Sequence, residues 1–260
     1  MENYGWSFDG VPEENALKFD FGGGVAAFPA LTLVKALPKD LLGGRVYGRF
    51  GAEFPIRFDF LDTFDGGNLS LQVHPMTGYI QETFGMHYTQ DESYYILDAD
   101  KDSCVYLGVK PGADPDAMRQ ALEEANAGGR PFDAERFVNR FPVQKHDHVL
   151  IPAGTVHCSG KNTLVLEISA TPYIFTFKLW DWGRLGLDDL PRPVHIEHGM
   201  KNIQFDRDTE WVQRELIHRN EMIEQSPGLT VERTGLHPYE PIETRRYTVS
   251  GTITLPAIDS

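Results

Sequence analysis

Short runs of β-branched and aromatic residues, each broken within a few positions by Gly, Pro, Asn or Asp, govern what this chain can become. Such a pattern makes the strands of a barrel or sandwich and leaves little length for helices. The candidate strands are Arg57–Asp62, Leu69–His74, Glu92–Leu97, Cys104–Val109, His148–Ile151, Leu164–Ser169 and Ile174–Trp180. Several alternate with the period of two that a half-buried sheet requires. One helix is well marked: Asp114 caps it, Pro115 suits its first position, Met118, Leu122 and Ala125 form an apolar stripe, and Gly128-Gly129 stops it. Asp133 to Phe137 begins a second, so a small helical insertion is expected over 114–140, outside the barrel mouth. Asp206 to Gln225 is polar and reads as a surface helix or connection leading to a last β stretch, Tyr247 to Leu255. A strand that close to Ser260 suggests a longer protein cut short.

Composition narrows the partners. A formal charge of -14 argues against nucleic acid, because neutralising phosphates takes a surplus of Lys and Arg on one face. Hydrophobic residues at 41% supply a core that needs no staples. The two cysteines, Cys104 and Cys158, form neither a metal knuckle nor a redox motif, and the absence of a disulfide framework points to a reducing compartment. Met1 to Trp6 lacks a basic segment followed by an apolar run, and no stretch reaches the ~20 apolar residues that span a bilayer. A cytoplasmic protein that uses neither membrane nor nucleic acid is expected. Gly22-Gly-Gly24 lacks the Lys and hydroxyl residue of a nucleotide cradle and reads as a turn.

Within Leu69-Ser-Leu-Gln-Val-His-Pro75, Gln72 and His74 stand two apart on a strand and point to one face. Glu92 opens another strand, where an inward carboxylate is costly unless paired or bound to a cation. Ile151-Pro-Ala-Gly-Thr-Val-His157 delivers a histidine after a Pro-Gly turn. Two nitrogen and two oxygen donors suit zinc, and also manganese, iron or cobalt. The competing reading makes His74 and His157 unrelated core or surface histidines.

These segments, with Phe54-Pro-Ile, Phe60-Leu-Asp, Glu92-Ser-Tyr-Tyr-Ile-Leu97 and Leu164-Val-Leu-Glu-Ile-Ser169, resemble in order and spacing the motifs of class I mannose-6-phosphate isomerases. Asp181-Trp-Gly-Arg184 and Pro193-Val-His-Ile-Glu197 resemble the segment that follows in bacterial members. The resemblance covers roughly residues 50 to 205. It implies a mainly β fold, a cupin (double-stranded β-helix, or jelly-roll) barrel, with Gln72, His74, Glu92 and His157 as ligands of one Zn2+ ion. It further implies N-terminal β segments over 1–49, a metal-binding core over 50–205, and a connection over 206–260 leading to a second cupin.

The activity implied is interconversion of mannose 6-phosphate and fructose 6-phosphate, which moves a proton between C1 and C2 through an enediol. Glu167, an acid in an apolar strand, is a candidate base, and equally a buried structural partner. Tyr94 and Tyr95 alternate, so one of them points inward. His87 is a candidate for substrate contact or a solvated loop residue. Three positions depart from the resemblance. Gln90 stands where the family places an active-site lysine, Lys178 stands near a later arginine position, and Asp59 replaces a common lysine. The catalytic candidates are thus Lys178, Glu167 and Gln90, and the substrate-binding candidates Arg184 and His87. Arg57, Lys178 and Arg184 are the cations available to a phosphate, although Arg57 reads more simply as a salt-bridge partner of Asp59 on the same strand face. Two alternatives follow: an isomerase of an unphosphorylated or other sugar, and a non-catalytic sugar-binding or regulatory cupin that keeps the metal site. The sequence leaves the oligomeric state open.

Overall fold

The computed structural model describes residues 3–8, 15–171, 173–234 and 242–254. Strand β1 (Tyr4–Phe8) precedes a hairpin of β2 (Ala16–Asp20) and β3 (Val25–Pro29), then helices α1 (Ala30–Ala36) and α2 (Pro38–Phe50). The central region runs β4 (Arg57–Asp62), β5 (Leu71–Val73), α3 (Thr77–Phe84), β6 (Glu92–Ala99), β7 (Cys104–Val109), α4 (Pro115–Asn126) and α5 (Ala134–Phe137). It continues through β8 (Val138–Pro142), β9 (His148–Ile151), β10 (His157–Ser159), β11 (Thr163–Ser169) and β12 (Phe177–Trp180). Helices α6 (Ile196–Asn202) and α7 (Thr209–Glu215) lead to β13 (Glu221–Ser226), β14 (Leu229–Arg233) and β15 (Arg245–Val249).

Two five-stranded sheets, ordered β1-β4-β11-β6-β9 and β12-β5-β10-β7-β8, form the two walls of a jelly-roll barrel, the cupin architecture expected from the sequence. Every pairing within them is antiparallel. Strand alternation decides which residues each wall turns inward. His157 is in register with Gln72 on one side and Leu107 on the other, so these three share a face. On the facing sheet, Glu167 is in register with Asp59 and Tyr94, and Ser169 with Glu92. The interior is therefore divided along the barrel axis. Tyr94, Ile96, Val105, Leu107, Val149, Ile151 and Val165 form an apolar plug, and the charged and amide groups gather beyond it.

The outer face of the second sheet carries the larger core. Leu71, Val73, Tyr106, Cys158, Phe177 and Leu179 pack against Met118 and Leu122 of α4 and Ile196 and Met200 of α6. Helix α4 forms as its sequence dictates: the Asp114 side chain accepts a hydrogen bond from Ala117 N at 2.7 Å, and Met118 and Leu122 are fully buried. The helical insertion thus lies along an outer wall of the barrel and not at its mouth. Both cysteines are free and buried in this layer.

Other expectations need correction. The N-terminal segment is not all β: Ala30–Ala36 and Pro38–Phe50 are helical, with a break at Gly43, whose φ is 75°. An apolar run such as Ala30-Leu-Thr-Leu-Val, in α1, satisfies helix and strand equally, and Pro38 suits the first turn of α2. Thr77–Phe84 is also helical. The strands expected at Leu69–His74 and Ile174–Trp180 are shortened to Leu71–Val73 and Phe177–Trp180. Gly22-Gly-Gly24 is the hairpin turn expected, closed by Phe21 N donating to Gly24 O at 3.1 Å. The connection after 206 contains α7 and then β13, and the last strand is Arg245–Val249; Leu255 lies outside the described residues. No helix among the described residues is long and apolar enough to cross a membrane.

The outer face of the first sheet borders a cavity of about 220 Å³ lined by Tyr95, His148, Leu166, Ile168, Thr244 and Arg246, among others. His148 is 2% exposed and its Nδ1 finds no partner among the described residues. Burial first, then the nearby His218 and Arg246 charges, push its pKa down to about 4. An unfolded histidine takes its proton near 6.5, so between those values the unfolded chain binds the extra proton and stability rises with pH. The native protein should lose about 3 kcal/mol from this source as pH falls from 6.5 to 4. Urea unfolding across that range should show a flatter profile for His148→Gln than for wild type; superimposable slopes would refute the assignment.

Candidate metal centre

His74, Glu92 and His157 bring their donor atoms within 4.8 Å of one another at the top of the plug, all three buried. Each arrives from a different element: His74 just past the end of β5, Glu92 at the start of β6, and His157 at the start of β10. The carboxylate sits between the imidazoles, with Glu92 Oε2 3.0 Å from His74 Nε2 and Oε1 2.9 Å from His157 Nε2.

Backbone carbonyls determine what those nitrogens can do. His74 Nδ1 donates to Phe175 O at 2.9 Å, and His157 Nδ1 donates to Thr155 O at 2.9 Å. A neutral imidazole has one N–H, so each ring then turns an Nε2 lone pair toward Glu92. Lone pairs facing a carboxylate repel unless positive charge lies between them. Consistent with this, His74 Nε2 and Glu92 Oε1 are buried and make no hydrogen bond of acceptable geometry. Burial alone would raise the Glu92 pKa and lower that of His74. A proton on His74 supplies positive charge at that place, and the attraction it creates outweighs burial, holding Glu92 well below the usual carboxylate range and pushing His74 up. A divalent cation satisfies all of these atoms at once, with the second nitrogen of each ring fixed by a hydrogen bond as metal-bound histidines require.

The turn that delivers His157 is built for the purpose. Gly154 has φ of 87°, and a Cβ there would lie 2.6 Å from Met76 Sδ and 2.8 Å from Gln204 Cγ. Gly154 N also donates to His74 O at 2.9 Å, tying the two histidine segments together.

Gln72 is brought to the cluster, its Nε2 3.3 Å from His157 Nε2. With its proton on Nδ1, His157 can accept from the Gln72 amide; with the amide oxygen turned inward, Gln72 would present an oxygen donor to a cation instead. Lys178 is in register with Gln72 on the same sheet face, and both are half-buried where the ligands are fully buried.

Behind Glu92 lies a polar layer. Arg57 Nη1 donates to Asp59 Oδ2 and lies 3.4 Å from Glu167 Oε1, which is the Arg57–Asp59 pairing read from the sequence, extended to Glu167. Burial, opposed by Arg57, pushes Asp59 up to about 6. Burial and then the charges of Glu92 and Asp59 push Glu167 well above the usual carboxylate range. Gln90 is 1% exposed in this layer and lies beside Glu92, Glu167 and Ser169. Tyr94 is the inward tyrosine, fully buried, while Tyr95 faces out and meets His146 and Arg246.

Two candidates are not brought to the cluster. Arg184 and Arg192 share Asp181, which also accepts from Ser70 Oγ at 2.6 Å, and this group lines a separate cavity of about 230 Å³ beside Trp180 and the end of α4. His87 is exposed on the loop between α3 and β6. Sequence reasoning missed Ser169 and the carbonyls of Phe175 and Thr155. No side-chain letter signals a carbonyl clamp.

No family model matches the chain. It is 28% identical over 170 residues to the mannose-6-phosphate isomerase of Streptococcus mutans, covering 64% of this chain and 50% of that protein. It is 29% identical over 153 residues to a probable mannose-6-phosphate isomerase of Bacillus subtilis, covering 59% and 45%. The chain spans about half the length of the curated relatives it matches. The crystal structure of a Bacillus subtilis mannose 6-phosphate isomerase superposes with a TM-score of 0.66 at 20% identity, over 83% of this chain and 63% of that one. A zinc-bound mannose 6-phosphate isomerase superposes with a TM-score of 0.58 at 14% identity, over 88% and 74%. These structural likenesses are likenesses of fold.

Glu92→Gln and His157→Ala should each lower divalent-metal affinity more than about 100-fold, beyond the loss typical of an outer partner. Metal content after dialysis, set beside wild type, measures it. Retention of a full equivalent by both variants would remove the site.

Proposed function

We propose that this relative of the mannose-6-phosphate isomerases is a metal-dependent aldose-ketose isomerase that interconverts mannose 6-phosphate and fructose 6-phosphate. The observation that carries the reading is the pair of histidine lone pairs converging on Glu92 at the polar end of the barrel, beside a carboxyl that keeps its proton unusually well. His74, Glu92 and His157 would hold one zinc ion, with Gln72 as fourth ligand through its amide oxygen. Bound there, zinc supplies a Lewis acid that polarises oxygens of the sugar and favours the enediolate.

The chain's own groups do the remaining work. Isomerisation removes the proton on C2 of the aldose and returns a proton to C1, while a hydroxyl proton passes from O2 to O1. Glu167 is suited to hold and release such a proton, because burial and the neighbouring carboxylates push its pKa well above the usual carboxylate range. Lys178, on the Gln72 face, is the cation suited to an anionic part of the substrate. Arg57, held by Asp59 and Glu167, fixes the orientation of that carboxyl. Arg184 and His87 are given no part, since one is engaged by Asp181 and the other lies on an exposed loop. Two buried free thiols accord with a cytoplasmic setting.

One observation favours a second reading. Near Glu92 the interior holds Gln90 where the resemblance expects a lysine, and Asp59 where relatives commonly carry one, so the site has less positive charge to offer a phosphate. An isomerase of an unphosphorylated sugar would tolerate this.

Metal-loaded protein assayed with mannose 6-phosphate and, in parallel, with free mannose separates the two. Turnover of the phosphate that falls at least about 100-fold in Glu167→Gln supports the leading reading. Turnover of mannose alone moves the assignment to the second, and turnover of neither removes the isomerase.

A further inference from the structure

We infer that Gln90 is the positioning residue of the metal centre, holding Glu92 directly and His74 through the backbone of Phe175. The inference rests on the metal reading of His74, Glu92 and His157. Gln90 Nε2 donates to Glu92 Oε2 at 2.8 Å, the oxygen that faces His74. Gln90 Oε1 accepts from Phe175 N at 3.0 Å. Phe175 O in turn accepts from His74 Nδ1 at 2.9 Å, and His74 Nε2 returns to Glu92 Oε2 at 3.0 Å. Three hydrogen bonds thus join Glu92, Gln90, Phe175 and His74 into a circuit whose remaining gap, the 3.0 Å between His74 Nε2 and Glu92 Oε2, carries no hydrogen bond and is where a cation would sit. Ser169 Oγ, 3.2 Å from Gln90 Nε2, takes the amide's second hydrogen and fixes the plane of the group.

The circuit states which side chain it needs. One end must donate to a carboxylate and the other must accept from a buried backbone N–H, from a position 1% exposed. Among side chains that reach as far, the amide of glutamine offers both at a fixed angle. A lysine donates only and would leave the Phe175 N–H without a partner. A glutamate accepts only and would set a second carboxylate against Glu92. Gln90 is therefore no weakened remnant of a lysine: the backbone around it is matched to an amide. An amide also does not ionise near neutral pH and so cannot serve as general acid or base, and the catalytic role first considered for Gln90 gives way to a positioning one. Partners of this kind typically govern 10- to 100-fold of metal affinity.

The test compares wild type with Gln90→Met, an unbranched side chain of similar length that makes neither hydrogen bond, and with Gln90→Lys, which keeps a donor and loses the acceptor. Metal-free forms are first checked for cooperative thermal unfolding. Zinc affinity is then measured by competition with a chromophoric chelator, and the ligand field is read from the visible absorption of the cobalt(II)-loaded proteins. Folded variants that bind zinc about 10- to 100-fold more weakly, with an altered cobalt spectrum, are the expected result. Wild-type affinity with an unchanged spectrum in both would overturn the inference, and so would failure of both variants to fold, which would make Gln90 a support of the barrel instead. A wild type that binds neither ion would remove the underlying metal reading and this inference with it.

Discussion

Two hydrogen bonds to main-chain carbonyls organise the polar half of this barrel. Phe175 O and Thr155 O each take the Nδ1 proton of a histidine, and the chemistry of imidazole does the rest: the opposite nitrogens are left as lone pairs aimed at Glu92. Glu92 is completely buried, so water cannot relieve the repulsion. A cation does. The layer behind follows from the same need, because a buried carboxylate at Glu92 raises the pKa of Glu167, and Arg57 offsets the charge of Asp59.

The apolar half supplies the rigidity that this arrangement requires. Strand alternation turns Gln72 and His157 inward between Leu71, Val73 and Cys158, which face out into the core under α4 and α6. A slip of one residue in β5 would exchange these sets, burying an amide among leucines and exposing a valine to the site. The register of the barrel and the composition of the centre are therefore one constraint, enforced from both faces of the sheet.

The clustering of His74, Glu92 and His157 was legible in the sequence because side-chain chemistry and strand period converge there: Gln-Val-His alternates, Glu92 opens a strand where an inward carboxylate needs a partner, and Pro-Ala-Gly turns ahead of His157. The Arg57–Asp59 pair followed from the same period, as did the rule that only one of Tyr94 and Tyr95 turns inward; that it is Tyr94 came from the structure. The circuit through Gln90 and Phe175 was not legible, because half of it is backbone and the partners lie 85 positions apart. Helices α1, α2 and α3 escaped for another reason. They are short and weakly patterned, and their apolar residues fit helix and strand alike. Arg184 misled in the opposite direction: a conspicuous arginine after Asp-Trp-Gly is consumed by its own neighbour, Asp181.

The division of the interior also bears on traffic. Below the centre the barrel is filled by Ile96, Val105, Leu107, Val149 and Val165, none more than 2% exposed, while Gln72 and Lys178 keep some exposure above it. Among the described residues, Gln72 and Lys178 thus mark the side from which Glu92 would be approached. If the proposed isomerisation takes place there, substrate and product would share that approach, and product at high concentration would slow the reaction by occupying it.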